Sequence, residues 1–275
     1  VILVDLSQIA VACAFASEDV KTKGLNKNII THMILTSLLN LKIKFGKDYG
    51  DIIICCDGES TWRHDVFPYY KSSRKKDRDD SYMDWDKLYS IIDDVKEDLK
   101  DHFPYKLLEL NNCEADDVIA ILSQNAVEET LIVSSDHDYF QLHGYDKISQ
   151  YCPRKKQMIN VDDAEKALAT FCVKGDRGDG IPNIRSDSDT FTIKGKRQKT
   201  ISAKMLESYL EEIPEDLQEN WERNRQLIDF DCIPDNVKFA ILEEFIKPAN
   251  GNKKTLYNYF IQNNFKELLK EVNKF

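Results

Sequence analysis

The chain has 275 residues, 42% of them hydrophobic and 31% charged, with a formal net charge of −10 at pH 7. That is the length and composition of a globular protein with one large α/β core, or one such core plus a small second unit. No apolar run approaches the roughly 20 residues a membrane span needs, and the seven cysteines form no Cys-x-x-Cys pair, which argues against a zinc knuckle and for a reducing compartment.

Val1-Ile2-Leu3-Val4 reads as a first strand ending at Asp5, with the residues before it missing; it is too short and too soon charged for a secretory signal. Residues 26–45 place Ile30, Ile34, Leu38 and Leu41 at helical spacing. Residues 51–56 form a second apolar strand, which ends at Asp57-Gly58, and its Cys55 and Cys56 read as buried free thiols. From Thr61-Trp62-Arg63-His64 through Pro68-Tyr69-Tyr70-Lys71 to Asp80 there is no apolar period, which predicts a loop or a mobile helical segment. A helix follows over 83–101, with Trp85, Leu88, Ile92, Val95 and Leu99 along one side. Lys106–Leu110 is a strand feeding a helix opened by Glu114, Asp116 and Asp117, whose buried stripe is Val118, Ile119, Ile121 and Leu122. Leu131-Ile132-Val133 is a strand covered on both faces, and the spacing carries it on to Asp136 and Asp138, with His137 on the opposite side. Strands near 148–151 and 157–161 precede a helix from Asp162 with Ala164, Leu168 and Phe171 in period. Alternating strands and helices specify a mostly parallel sheet. Gly175-Asp176-Arg177-Gly178-Asp179-Gly180 ends that pattern. Beyond it only helices are predicted, over 201–212, 216–228, 235–247 and 254–272, so the chain divides into an α/β unit of residues 1–180 and a helical lobe of residues 181–275.

Nine acids stand where such a sheet would gather them: Asp5, Asp57, Glu114, Asp116, Asp117, Asp136, Asp138, Asp176 and Asp179. Any one of them has a bland explanation as a helix cap or turn residue. Strand ends, however, are where open α/β sheets place their ligands. Converging carboxylates repel by roughly 4 kcal/mol per pair at 4 Å and an effective dielectric of 20, so either several are protonated or cations compensate them. All-oxygen ligands without His or Cys select hard ions, Mg²⁺ with Mn²⁺ able to substitute. So many carboxylates suit two ions, which about 4 Å apart activate water and stabilise the leaving oxygen in phosphodiester hydrolysis. The five histidines lie in no nucleophile motif, with His102 and His143 read as surface residues, and no Gly-rich phosphate loop is present. Two basic tracts stand out against the acidic total: Lys71, Arg74, Lys75, Lys76 and Arg78, and Lys194, Lys196, Arg197, Lys199 and Lys204. They fit local phosphate binding. In the first, Lys71 and Arg74 would steady a phosphate while a neighbouring tyrosine stacks on a base.

In order and spacing, Asp5, Cys56-Asp57-Gly58, Tyr70-Lys71-x-x-Arg74, Glu114-Ala-Asp-Asp117, Ser135-Asp-His-Asp138 and Gly175-Asp-x-x-Asp179 resemble the flap endonuclease/5′–3′ exonuclease family, and within it the ribonuclease H branch of T-even-like bacteriophages. Asp5-Leu-Ser-Gln, Trp85 and the stretch 227–236 extend the likeness over nearly the whole chain. Each motif is weak alone, and six in register are specific. The resemblance implies a PIN-like (resolvase-like) α/β nuclease domain with a helical arch at about residues 60–82 and a C-terminal helical lobe that grips duplex. It implies Asp5, Asp57, Glu114 and Asp116 around a first Mg²⁺, Asp136, Asp138 and Asp179 around a second, and Asp116 near both. Asp117 and Asp176 would lie one layer out. Lys71 and Arg74 would act with Asp116 in catalysis. Tyr70, Lys71, Arg74 and Lys75, and in the lobe Lys194, Lys196, Arg197 and Lys199, would contact nucleic acid. The implied function is a divalent-metal-dependent 5′–3′ exonuclease and flap endonuclease acting on RNA–DNA hybrid, duplex and 5′-flap DNA. Such a monomer would remove RNA primers and flaps in the cytoplasm of an infected bacterium, with a single-strand-binding protein and a sliding clamp as partners and no membrane. One departure is plain: many relatives carry a Gly-x-Gly hairpin that holds potassium, whereas residues 181–190 here, as in the phage group, lack that glycine pair. A potassium site is therefore not implied. Two rivals remain: a PIN-type endoribonuclease for single-stranded RNA, which the second basic tract and helical tail argue against, and a non-catalytic flap- or fork-binding protein, which seven intact acidic positions argue against.

Overall fold

The computed structural model describes residues 1–17, 24–74, 78, 80–249 and 251–275. Six strands, β1 (Ile2–Asp5), β2 (Ile52–Cys56), β3 (Lys106–Glu109), β4 (Thr130–Val133), β5 (Ile148–Cys152) and β6 (Gln157–Ile159), form one sheet in the order β3-β2-β1-β4-β5-β6. All neighbours pair parallel except β5 and β6. The helices are α1 (Leu6–Ala16), α2 (Lys27–Tyr49), α3 (Arg63–Val66), α4 (Trp85–His102), α5 (Ala115–Gln124), α6 (Ala164–Lys174), α7 (Ala203–Glu211), α8 (Gln218–Ile228), α9 (Asp235–Ile246), α10 (Lys253–Gln262) and α11 (Lys266–Lys270). Every residue of β2 and β4 is buried, as expected where helices cover both faces of a parallel sheet. The strand order reverses between β1 and β4, and Val4 pairs with both Ile54 and Val133. The carboxyl ends of these three strands therefore open onto one crevice, the place where doubly wound sheets bind ligands.

One face of the sheet packs on α1, α2 and α4 through Ile34, Leu38, Leu88 and Val95, and Leu256, Phe260, Leu268 and Phe275 from the tail complete that core. The other face packs on α5 through Val118, Ile119 and Leu122, joined by Phe230, Ile233, Val237 and Ile241. A third cluster of Phe67, Tyr70, Cys172, Ile181, Leu227 and Ile228 ties the segment after α3 to α6 and α8. Residues beyond 180 thus divide by what they touch: α7 and α8 pack with α6, whereas α9, α10 and α11 are built into the two layers on the sheet. No helix among the described residues is long and apolar enough to cross a membrane.

Several elements differ from the sequence expectation. Helix α1 was not foreseen, because Ile9-Ala-Val-Ala-Cys-Ala-Phe-Ala16 is too uniformly small and apolar to show a stripe; Ile9, Ala10, Cys13 and Ala14 are its buried side. Strand β4 stops at Val133, and Asp138–Gly144 is a 3₁₀ helix with His137 already in helical geometry, so Asp136 and Asp138 sit on a turn and not on an extended strand. The single helix expected over 254–272 is broken where Asn264 adopts a left-handed φ of 57°, which turns Phe265 into the core. His102 and His143 are half-buried rather than superficial: His102 stacks on Tyr259 at 5.0 Å, and His143 bonds Gln150 at 3.1 Å. Lys75 and Lys76 lie outside the described residues.

Phe260 is fully buried in the same core as β1 and α2. Phe260→Ala should lower the urea-unfolding free energy by about 3–5 kcal/mol. A loss below about 1 kcal/mol would show that the tail adds nothing to that core.

Candidate active site

Asp5 closes β1 and caps α1, its carboxylate accepting the Gln8 N–H at 2.9 Å. The first turn of α1 then organises the crevice. Ser7 donates to Asp57 Oδ2 at 3.1 Å, and Ala115 N–H donates to Asp57 Oδ1 at 3.0 Å, so the acid after β2 is held between two helix starts. Gln8 donates to Ser134 Oγ and accepts the Ser135 N–H, which staples β1 to the turn after β4. Gln150 on β5 supports that turn by donating to the carbonyls of Ser134 and Asp136. Asp136 Oδ1 accepts the Asp138 N–H at 3.2 Å, and the Tyr139 hydroxyl donates to Asp116 Oδ1. Gly58 stands where Leu110 crosses: a Cβ there would lie 1.9 Å from the Leu110 carbonyl oxygen, so only glycine lets β2 and β3 turn this closely.

Glu114 and Asp117 form a capping box at the start of α5. Both are buried, and the cation that compensates them is Arg63. Its Nη1 donates to Glu114 Oε2 at 2.9 Å and to Asp117 Oδ2 at 3.1 Å, and its Nε donates to the Leu227 carbonyl at 2.9 Å. Nη2 lies 2.8 Å from Asp117 Oδ1, an ionic contact that is off the line of a directed hydrogen bond. Trp62 stacks on the guanidinium at 4.6 Å and donates its own N–H to Asp117. One buried side chain thereby joins α3, α5 and α8.

The segment after α3 brings Lys71 and Arg74 onto the same acids. Lys71 Nζ pairs with Glu114 Oε1 and lies 3.7 Å from Asp179 Oδ2, and Arg74 Nη2 pairs with Asp179 Oδ1 at 2.5 Å. The Tyr70 hydroxyl sits between Glu114 Oε2 at 2.9 Å and Asp179 Oδ2 at 2.7 Å. Tyr70 is only 3% exposed, so it is not the surface for a stacked base that its sequence context suggested; Tyr69 is the exposed ring of the pair. Lys71 takes a left-handed φ of 54°, and its N–H donates to the Asp179 carbonyl at 2.7 Å. Gly180 allows this approach: at φ 73°, a Cβ there would meet the Tyr69 carbonyl oxygen at 3.0 Å.

These contacts split the acids electrostatically. Burial works against ionised Glu114, but Lys71 and Arg63 more than offset it and hold its carboxyl below the usual range. Burial likewise opposes Asp179, and Lys71 and Arg74 hold it low. At Asp5, Asp116 and Asp138 no cation outweighs burial. Burial, then the charge of Asp57, pushes Asp5 up to about 7. Burial and Asp5 push Asp116 well above the carboxylate range, and burial and Asp136 do the same to Asp138. A cavity of about 20 Å³, room for one water-sized body, lies among Arg63, Tyr70, Asp116, Asp138, Asp176 and Asp179. Among the described residues no group of three or more His, Cys, Asp or Glu side chains is arranged to hold a metal ion. The reason is visible: Glu114 and Asp179 are turned to Lys71 and Arg74, Asp57 to Ser7 and the Ala115 N–H, and Asp116 to Tyr139. The chemistry of the donors still fits hard divalent ions, since they are oxygens only and an incoming cation would favour the ionised form of the acids that burial pushes up.

Residues 1–170 match the family described as 5′–3′ exonuclease, N-terminal resolvase-like domain. The chain belongs to the 5′–3′ exonuclease family. Residues 162–275 match the family described as T4 RNase H, C terminal. Ribonuclease H of Enterobacteria phage T4 is 31% identical over 290 aligned positions, 99% of this chain and 95% of that protein. The T5 5′-exonuclease with divalent zinc bound superposes with a TM-score of 0.62 at 20% identity, covering 88% of this chain and 98% of the other. The bacteriophage T5 flap endonuclease in a complex with DNA and metal ions gives 0.61 at 18% identity, over 90% and 99% of the two chains. Both structures share the fold. As a member of the exonuclease family the chain is a nuclease, a hydrolase of ester bonds.

Within this nuclease the structure draws together Asp5, Asp57, Glu114, Asp116, Asp136, Asp138, Asp176 and Asp179, with Asp117 behind Glu114. Lys196 does not face outward as a free cation, because Asp187 at 2.9 Å and Asp189 both pair with it; Lys194, Arg197 and Lys199 are exposed. Sequence reasoning missed Arg63 and Tyr139 as parts of the site. Arg63 stood in view beside Trp62, but its acids are 51 and 54 residues away, and no local pattern links them.

Two outcomes follow from the charges. Asp5 binds a proton in the folded chain at pH values where it has lost it in the unfolded chain, between its ordinary 3.8 and about 7. Stability in EDTA should therefore fall as pH rises through that window. Asp5→Asn keeps the α1 cap and should raise Tm near pH 8 but not near pH 4; an equal change at both pH values would refute the assignment. Arg63→Met should cost about 3–5 kcal/mol in urea unfolding, because it leaves Glu114 and Asp117 buried without a counter-charge.

Proposed function

We propose that the chain is a divalent-cation-dependent 5′–3′ exonuclease and flap endonuclease that cuts RNA–DNA hybrid, duplex ends and 5′ flaps. The observation that carries this reading is the delivery of Lys71 and Arg74, from one short segment, onto carboxylates at the mouth of β1, β2 and β4. Asp5, Asp57, Glu114 and Asp116 would hold one Mg²⁺, and Asp136, Asp138 and Asp179 a second, with Asp116 near both and Mn²⁺ able to substitute. Asp117 and Asp176 would support them from one layer out. Such ions supply charge stabilisation of the attacking and leaving oxygens.

The protein's own groups do the rest. Lys71 offers a point charge and Arg74 a planar fork, both suited to a scissile phosphate. In the arrangement seen they neutralise Glu114 and Asp179, so phosphate and cations arriving together can exchange partners without stranding a charge. Tyr70 keeps Glu114 and Asp179 facing one another from beneath. We assign residues 1–180 to the α/β nuclease unit, with an arch at 60–82, and 181–275 to the C-terminal lobe, whose last helices, α9 to α11, rest on the layers that cover the sheet. In that lobe, exposed Lys194, Arg197 and Lys199 would follow the duplex backbone. Likeness to a phage ribonuclease H supports primer and flap removal in an infected bacterial cytoplasm, by a monomer working with a single-strand-binding protein and a sliding clamp.

The test is cleavage of a 5′-labelled flap and a 5′-labelled RNA–DNA hybrid in Mg²⁺. Wild type should release short 5′ products. Asp116→Asn should bind and not cut, and Lys71→Ala/Arg74→Ala should lose about a hundredfold or more in kcat. Tight flap binding with no cleavage under Mg²⁺ or Mn²⁺ would remove the catalytic reading and leave a DNA-binding protein.

A further inference from the structure

Beside the carboxylate crevice lies an aromatic surface that the nuclease chemistry does not use. Phe15, Tyr82 and Tyr89 are 45%, 56% and 40% exposed. With half-buried Trp85 they form one chain of ring contacts: Phe15 to Tyr82 at 5.9 Å, Phe15 to Trp85 at 6.2 Å, and Trp85 to Tyr89 at 6.1 Å. Arg78 adds a cation to this strip, its guanidinium 5.6 Å from the Tyr89 ring and its Nη1 donating to the Tyr89 hydroxyl at 2.9 Å. Arg78 Nε also donates to the Arg74 carbonyl at 3.3 Å, and Arg74 pairs with Asp179. These contacts link the strip to the candidate active site.

Soluble proteins rarely leave contiguous rings exposed without use. Ring faces next to an arginine match the chemistry of unpaired bases and their phosphates: every base has a π-face to stack, and the guanidinium answers the backbone. The distance is also defined. Asp5 caps helix α1, which carries Phe15 ten residues on, about 15 Å at 1.5 Å per residue. That equals about four or five nucleotides stacked at 3.4 Å.

We propose that Phe15, Tyr82, Trp85 and Tyr89, with Arg78, form a stacking subsite for the unpaired bases of a single strand that leads away from the active site. This rests on the nuclease reading for its direction, and its test is independent of cleavage. Binding would be measured in EDTA by fluorescence anisotropy, on duplexes carrying 5′ single-stranded arms of about three, six and ten nucleotides, on a blunt duplex, and on a long arm made abasic. Wild type should gain about tenfold or more in affinity between the short and middle arms, and the abasic arm should lose that gain. Phe15→Ala/Tyr82→Ala/Tyr89→Ala should bind all arms like the blunt duplex, while its Mg²⁺ cleavage of the blunt duplex stays at the wild-type rate. Should the triple variant fold poorly, Tyr82→Ala beside Tyr82→Phe reads the same ratio, with the phenylalanine retaining the gain. If the gain ignores bases, or survives in the alanine variants, the subsite is wrong and the surface belongs to a protein partner. If wild type binds arms as described but cuts nothing, the nuclease reading fails and the subsite stands.

Discussion

A parallel sheet that collects carboxylates at one mouth must answer their mutual repulsion, and much of this chain is arranged around that requirement. The acids fall into two groups by how they are answered. Glu114, Asp117 and Asp179 are matched by Arg63, Lys71 and Arg74, brought in by a single excursion between β2 and α4. Asp5, Asp116 and Asp138 are pushed up by burial and then by a neighbouring acid, Asp57, Asp5 and Asp136 respectively. A site divided in this way is poised: half of it is stable without help, and half gains most from an incoming positive charge.

Arg63 shows how that balance reaches the rest of the fold. Its fork spans the capping box of α5, and its Nε holds the end of α8. The nuclease crevice and the C-terminal segment are therefore joined by a buried charge network as well as by apolar packing. Removing one partner of such a network costs more than the network contributes over a well-packed apolar substitute. Its benefit lies in orientation, because one guanidinium reaches both acids of the capping box, Nη1 bridging Glu114 and Asp117 and Nη2 lying beside Asp117, in a way that a lysine would not.

Much of this was legible in the residues. Apolar runs ending at Asp5 and Asp57 announced strands with acids at their carboxyl ends, and the stripe of Val118, Ile119, Ile121 and Leu122 announced α5. Less legible were features whose cause lies far away in the chain. Helix α1 is hidden because small apolar residues fill all its faces. The turn at Asp136–Asp138 depends on Gln8 and Gln150, which reach it from β1's helix and from β5. Tyr70, adjacent to the two basic residues, read as a surface ring but is buried by Phe67, Ile181 and Leu227. Lys196 read as free because its acids, Asp187 and Asp189, precede the basic tract, and the loop folds back on them.

The left-handed backbone at Lys71 ties the segment's position to the bonds that hold it. A non-glycine residue there costs about 1–2 kcal/mol, and the bond from Lys71 N–H to the Asp179 carbonyl over Gly180 is what holds it. The same few residues carry the charges that neutralise Glu114 and Asp179. Lifting the segment would release the strain, break the backbone bond and uncover two carboxylates in one movement. The backbone bond, the strained residue and the two ion pairs therefore share one set of residues, so a substitution that loosens one of them loosens the others.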